Sequence, residues 1–460
     1  MNSQMTDTIA ALATPFGRSA LAVIRISGPE TFSIVRSCCR TYNGEPIVDI
    51  AGGIARRVRV HDDGRLVDDA MLMTMVTPRS FTGEDTAEIV SHGAPVVIDA
   101  VMRLLIRHGA RMAEGGEFSF RAYMNGKIDL AEAEAIHDLI MSDNALAAHH
   151  SVMKMQGTFS REIQTLRTAV KEARIMIEGE LDFPDEDTGS FSYDGLMKAV
   201  ASVRADIVHI LDISVTAARL MKGVSAVIAG AVNTGKSSIF NALAGSSRAI
   251  VTDTAGTTRD VLHAEIDIDG IPFHLTDTAG LRETSDTVET IGVARAEEQI
   301  AKADVVLFVL DGSRPMNDED AHAAKLASGK DVIVIRNKSD LELRADMNAA
   351  ELLFGRAPIA VSAVTGAGMQ ELRAAMGNRI SASEHHALDQ SVYTNERERA
   401  ALARGITHLD ASEKAMREKR TIDVVSYELT AAERSLAEVL GEIRSDEIVT
   451  EIFSRFCIGK

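Results

Sequence analysis

A chain of 460 residues is too long for one hydrophobic core and predicts two to four domains. Its composition, 45% hydrophobic and 25% charged, is that of an ordinary globular protein, and a net charge of −18 argues against broad, non-specific nucleic-acid binding, though a local basic patch is compatible with it. Three cysteines, two of them vicinal (Cys38 and Cys39), argue against a disulfide framework; with no charged-then-apolar leader and no apolar run of membrane-spanning length, a reduced, cytoplasmic, non-membrane protein is expected.

From Thr8 to about Tyr123 the pattern is mixed α and β. Leu21–Ile26 predicts a strand, and Gly28-Pro29 turns the chain into a helix carrying Phe32, Ile34 and Val35. Residues 51–60 and 70–76, separated by Asp62-Asp63-Gly64, predict an antiparallel pair, and Val97, Val101, Leu104 and Leu105 lie at helical spacing within 94–108. Beyond Asn125-Gly126 the chain becomes helical. Ile128, Leu130, Ile136, Leu139 and Ile140 follow one helical face, and further helices are expected from about Leu146 to Glu180 and from Leu196 to Leu220, flanking an acidic loop at Glu178–Asp187.

From about Gly223 to Ile380 strands and helices alternate, as in a doubly wound α/β domain. The expected strands are Val224–Ala229, Ala264–Ile268, Pro272–Thr276, Val305–Leu310, Val332–Ile335 and Ile359–Ser362, with Asp269-Gly270 as a hairpin turn. Helices resume after Ser381, with a stripe at Leu429, Ala432, Leu436, Val439, Leu440 and Ile443 and a last one at Ile448, Ile452, Phe453 and Phe456. The expected boundaries are 1–125 for a small α/β domain, 126–222 and 384–460 for two parts of a helical domain, and 223–383 for a nucleotide-binding domain inserted between them.

Gly230-Ala-Val-Asn-Thr-Gly-Lys-Ser237 lies between a predicted strand and a predicted helix, the setting in which G-x-x-x-x-G-K-S cradles phosphates. Backbone N–H groups and the helix N-terminus face the anion, Lys236 reaches the β- and γ-phosphates, and the Ser237 hydroxyl ligates Mg²⁺. Asp277-Thr278-Ala279-Gly280 follows the third strand, where Asp277 would hold Mg²⁺ through water and the Gly280 N–H would meet the γ-phosphate. Asn337-Lys338-Ser339-Asp340 follows the fifth. The Asp340 carboxylate accepts two guanine donors that adenine lacks, which selects GTP, and Ser362-Ala363 would place a backbone N–H near guanine O6. Leu281 stands where a Ras-type enzyme carries its water-orienting glutamine, so hydrolysis needs another group; Arg282, Glu283 and Glu289 are candidates.

These stretches, together with Thr14-Pro-Phe-Gly17, Ile24–Pro29, Phe81-Thr-Gly-Glu-Asp85, Gly116-Glu-Phe118, Asn125–Glu134, Leu181–Glu186 and the terminal Phe456-Cys-Ile-Gly-Lys460, resemble the MnmE (TrmE) tRNA-modification GTPases along the whole chain. The resemblance implies a multidomain fold: an α/β folate-binding, dimerising N-terminal domain, a discontinuous all-α helical domain, and an inserted Ras-like α/β P-loop GTPase domain. It implies folate contacts at Arg25, Glu88, Lys127 and Lys460. It implies GTP contacts at Asn233, Thr234, Gly235, Lys236, Ser237 and Ser238, at Thr252, Asp253, Thr254, Ala255, Gly256, Thr257 and Thr258, and at the three later motifs. Mg²⁺ would be held by Ser237 and Thr258, and K⁺ by Asn233, Thr252, Thr254 and Thr257, the cation standing in for an arginine finger. Glu289 would orient the attacking water, and Cys457 would assist modification. The implied partners are a second copy of the chain, a flavin-dependent MnmG-type protein and tRNA, whose wobble uridine would gain an aminomethyl or carboxymethylaminomethyl group from a tetrahydrofolate one-carbon donor. Two positions depart from the pattern: Val232 replaces a usual Pro, and Ala94 a usual Gly.

Overall fold

The structure is a computed structural model that describes residues 6–48, 50, 52–182, 193–245, 262–277, 297–346, 351, 354–379, 393–442 and 446–460. It divides into two compact units, one of Met1–Met141, Ser151–Val208 and Asn395–Lys460, the other of Ser142–His150 and His209–Thr394.

The first unit opens with a seven-stranded sheet of β1 (Ile9–Leu12), β2 (Ser19–Ser27), β3 (Cys39–Thr41), β4 (Ile54–Asp62), β5 (Arg65–Met75), β6 (Thr86–Gly93) and β7 (Arg111–Met112), in the order β3-β4-β5-β6-β2-β1-β7. The β4–β5 hairpin turns at Asp63 and Gly64, whose φ values of 49° and 82° suit a two-residue turn that follows the strands' twist. Alternation along β2 sends Ala22, Ile24 and Ile26 into the core beneath α1 (Thr31–Cys38) and α2 (Pro95–Arg107), and Arg25 to the opposite face. Ala94 caps α2 with φ −93° and ψ 127°, an ordinary extended conformation, so nothing there demands glycine. Cys38 and Cys39 are unpaired and buried as small apolar residues; burial pushes the Cys38 thiol up to about 12 and the Cys39 thiol up as well.

Helices follow: α3 (Glu117–Met124), α4 (Leu130–Ile140), α5 (Ala145–Met155), α6 (Thr158–Asp182) and α7 (Tyr193–Met221). The single helix expected over 146–180 is thus broken between α5 and α6. Gly157 takes φ 71° there and donates its N–H to the Lys154 carbonyl, ending α5 in a left-handed cap.

The second unit holds a six-stranded sheet of β8 (Val224–Ala229), β9 (Leu262–Ile268), β10 (Ile271–Asp277), β11 (Val305–Asp311), β12 (Val332–Asn337) and β13 (Ile359–Ala360), ordered β13-β12-β11-β8-β10-β9. All pairings are parallel except the β9–β10 hairpin. Ala226 and Ile228 pack on one face with α8 (Lys236–Gly245) and α10 (Met369–Gly377), while Val227 and Ala229 face the other with α9 (Asp318–Leu326). The expected strand at 359–362 ends at Ala360, because the Ser362 N–H bonds the Ala367 carbonyl and the chain turns away.

The first unit resumes with α11 (Glu396–Arg417), α12 (Ile422–Leu440) and α13 (Asp446–Ser454). Asn395 and Glu398 form a capping box that starts α11. Glu398 is fully buried, and Lys154 of α5 donates to it at 2.7 Å. At the far end Phe453 and Phe456 pack with Tyr123 and Leu130, joining the last helix to α3 and α4. Removing only Lys154 leaves the buried carboxylate without its hydrogen-bonded countercharge, with Arg397 no nearer than 3.8 Å, so Lys154→Met should lower unfolding free energy by about 3–5 kcal/mol, and adding Glu398→Gln, which keeps the capping box but removes the charge, should restore much of it. Denaturant melts of the two variants check this.

Candidate functional site

Strand β8 lies at the point where the sheet's order reverses, between β10 and β11, and in open α/β sheets ligands bind outside the strand ends at that point. The chain leaving it is Gly230–Ser237. Gly230 has φ 142°, and a Cβ there would stand 2.3 Å from the Val309 carbonyl oxygen. Gly235 has φ 91°, and a Cβ there would stand 2.2 Å from Asn337 Nδ2. Both positions therefore need glycine for backbone conformation and for close approach.

Lys236 is nine-tenths buried and donates to the carbonyls of Gly230 (3.0 Å) and Ala231 (2.6 Å), which stations its charge over the loop. The Ser237 hydroxyl donates to Asp277 Oδ2 at 2.7 Å, and Asp277 ends β10 fully buried. Hydroxyl and carboxylate, brought together from two motifs, form an oxygen set suited to Mg²⁺. Thr234 is buried, with its hydroxyl on the Ala231 carbonyl, whereas Ser238 and Val232 are exposed.

The base-recognition stretch meets this loop directly. Asn337 Nδ2 donates to the Thr234 carbonyl at 2.9 Å, and its Oδ1 accepts from the Ala363 N–H at 3.3 Å. Ser362 Oγ donates to Asp340 Oδ1 at 2.6 Å, orienting the carboxylate, and the Ser339 N–H bonds the Val361 carbonyl. Lys338 donates to Asp311 Oδ2 at 2.6 Å and to the Asn233 carbonyl at 3.3 Å. Burial works to raise the Asp311 pKa, but hydrogen bonds from Lys338 and Ser313 outweigh it and hold the carboxyl below its ordinary 3.8. Its contribution to stability is therefore present above 3.8 and lost as pH falls through the depressed value. The sequence offered little sign of Asp311, since Asp-Gly-Ser after a strand reads as a turn.

Thr252, Asp253, Thr254, Ala255, Gly256, Thr257, Thr258, Thr278, Ala279, Gly280 and Glu289 lie outside the described residues, as do Leu281, Arg282 and Glu283.

A second cluster lies on the N-terminal sheet. Arg25 and Glu88 are cross-strand partners on β2 and β6, with Nε to Oε1 at 2.8 Å, and the Arg25 guanidinium sits 5.6 Å from the Phe118 ring centroid. Arg25 also donates to the Gly459 carbonyl at 3.1 Å, while Ile458 bridges Gly115 and the Cys457 carbonyl accepts the Gly116 N–H. The C-terminal tail is thereby stitched to the N-terminal domain. Gly116 permits this: its φ is 72°, and a Cβ would stand 2.3 Å from the Phe453 carbonyl oxygen. Burial and the nearby Arg25 lower the Lys460 pKa, partly offset by Glu88. Cys457 is exposed beside this cluster. Lys127 bonds elsewhere, to the Pro78 carbonyl at 3.1 Å.

Strand order, phosphate loop and guanine-selecting stretch together define a P-loop GTPase domain. Over the whole chain, the family profile of the GTP-binding protein TrmE N-terminus matches residues 8–127, and that of the MnmE helical domain matches residues 130–457. The tRNA modification GTPase MnmE of Brachyspira hyodysenteriae is 40% identical over 461 residues, spanning 99% of this chain and 98% of its own. That of Geobacillus thermodenitrificans is 37% identical over 458 residues, spanning 99% of both. Among solved structures, the G domain of the T. maritima FeoB iron transporter is 24% identical over 34% of this chain and 99% of its own, with a TM-score of 0.27. The chain belongs to the MnmE family of tRNA modification GTPases.

Gly235→Ala should drive a methyl into Asn337 and separate the two loops. Isothermal titration with GDP should find affinity reduced by at least about a hundredfold, with the fold retained by circular dichroism.

Proposed function

We propose that this chain hydrolyses GTP to support modification of the wobble uridine of certain tRNAs at its 5-position, with a tetrahydrofolate derivative as one-carbon donor. The observation that carries this reading is the presence of two sites in one chain. One is a guanine-nucleotide site built on Gly230–Ser237 and Asp340, and the other is the cluster of Arg25, Glu88 and Lys460 closed by the C-terminal tail.

At the first site, Lys236 and the loop amides bind phosphate, the Ser237–Asp277 pair receives Mg²⁺, and Asp340 selects guanine. A K⁺ ion at Asn233, with Thr252, Thr254 and Thr257, would neutralise charge developing between the phosphates when two GTPase domains meet. Glu289 would orient water, and Thr258 would complete the Mg²⁺ set. At the second site, a guanidinium, a carboxylate and an ammonium suit a folate's pterin and glutamate groups. Lys127 enters this set only if its bond to Pro78 is exchanged for the ligand. Cys457, whose thiol is exposed, assists the transfer in this reading. The chain acts as a homodimer with an MnmG-type flavoprotein in the cytoplasm, on domains bounded near residues 125, 222 and 383.

GTP turnover by the purified chain tests the mechanism. Hydrolysis should be at least tenfold faster in potassium than in sodium at equal ionic strength; equal, negligible rates would defeat it. A Cys457→Ser variant should keep that turnover and lose tRNA modification, and unchanged modification would remove Cys457 from the chemistry.

A further inference from the structure

Among the described residues, five non-glycine positions have positive φ: Asp63, Asn233, Asp269, Lys338 and Lys419. Asp63 and Asp269 occupy hairpin turns, and Lys419 lies just past the end of α11. Asn233 and Lys338 belong to neither setting. They sit in the phosphate loop and the base-recognition stretch, and the Lys338 ammonium joins them by donating to the Asn233 carbonyl. Asn adopts this conformation more readily than most residues, whereas a lysine in it is uncommon.

Asp311 anchors the lysine that joins them. It ends β11 directly opposite Asn337 in register, and its carboxylate is buried while the Lys338 side chain is 34% exposed. One oxygen, Oδ1, accepts both the Ser313 N–H (2.9 Å) and the Ser313 hydroxyl (2.6 Å); the other accepts from Lys338. The carboxylate is fixed before it meets the lysine, so the charge-assisted bond aims the ammonium rather than following it. Two bonds then join the loops: Asn337 to the Thr234 carbonyl, and Lys338 to the Asn233 carbonyl.

We propose that Asp311 is a positioning residue for nucleotide retention: through Lys338 it clamps the base-recognition stretch onto the phosphate loop at Asn233 and slows nucleotide release. The proposal rests on the guanine-nucleotide reading of this domain. It makes the strand-end aspartate a determinant of GDP residence time, although Asp311 itself need touch neither base nor phosphate.

The test is stopped-flow release of a fluorescent GDP (mant-GDP) from the full chain, with GTP turnover measured in parallel. Asp311→Asn keeps the side chain's shape but loses its charge. It should speed release about tenfold and raise KM for GTP similarly, leaving kcat at saturating GTP within about twofold. Ser313→Ala, which loosens the carboxylate without removing it, should speed release by about two- to threefold. In a Lys338→Ala background Asp311→Asn should add almost nothing, since it acts through that lysine. Wild-type release from Asp311→Asn overturns the proposal. So does a full, additive effect of Asp311→Asn in the Lys338→Ala background, which would mean that Asp311 supports the fold and not the lysine. A wild-type chain that takes up no mant-GDP contradicts the nucleotide reading, and the proposal falls with it.

Discussion

Two strand ends in the central domain come close enough that the loops leaving them share hydrogen bonds, and that proximity is possible only because Gly230 and Gly235 have no side chains. With β8 between β10 and β11, a Cβ on Gly230 would stand 2.3 Å from the Val309 carbonyl oxygen of β11, and one on Gly235 would stand 2.2 Å from the Asn337 amide of β12. The sheet order dictates which loops are neighbours, and the glycines let them touch. Lys236 and Ser237, next in sequence after Gly235, start α8 with the loop held against Asn337. Loss of either glycine would spoil phosphate and base recognition together.

The helical part answers a different problem, since its sequence is divided by an inserted domain and its two pieces must find each other. Charge does part of this. Lys154 from the first piece and Glu398 from the second bury an ion pair at the start of α11, and Arg397 holds Glu134 through two bonds, at 2.9 and 2.7 Å. Buried pairs of this kind add little net stability against an apolar alternative, yet they penalise any register that leaves one partner alone. Phe453 and Phe456 then seat the last helix on α3 and α4, and the tail beyond reaches Arg25. The residues nearest the C-terminus are thus held against strand β2 near the N-terminus.

Much of this was legible in the sequence wherever a local rule decided the outcome. The strand at Val224–Ala229, the turns at Asp63-Gly64 and Asp269-Gly270, and the phosphate loop follow from periodicity and turn chemistry over a few residues. What was hidden depends on partners far along the chain. Gly157 ends a helix whose apolar stripe continues past it, and Ser362 leaves its strand for a bond to Ala367. Lys154 looks like a solvated charge until Glu398, 244 positions away, is placed against it. Asp311 looks like a turn residue until β11 and β12 are paired. The pairing of Arg25 with Glu88 likewise emerges only from the register of β2 with β6.

The central claim is that guanine-nucleotide turnover at one site serves one-carbon chemistry on tRNA at another within this family's fold. Its most direct test is mass-spectrometric nucleoside analysis of tRNA from cells lacking the protein, complemented with either the wild-type chain or a Lys236→Ala variant. The account predicts that the 5-substituted wobble uridine disappears in the deletion, returns with the wild-type chain, and stays absent with Lys236→Ala. Persistence of the modified nucleoside in the deletion, or its full return with the variant, would contradict it.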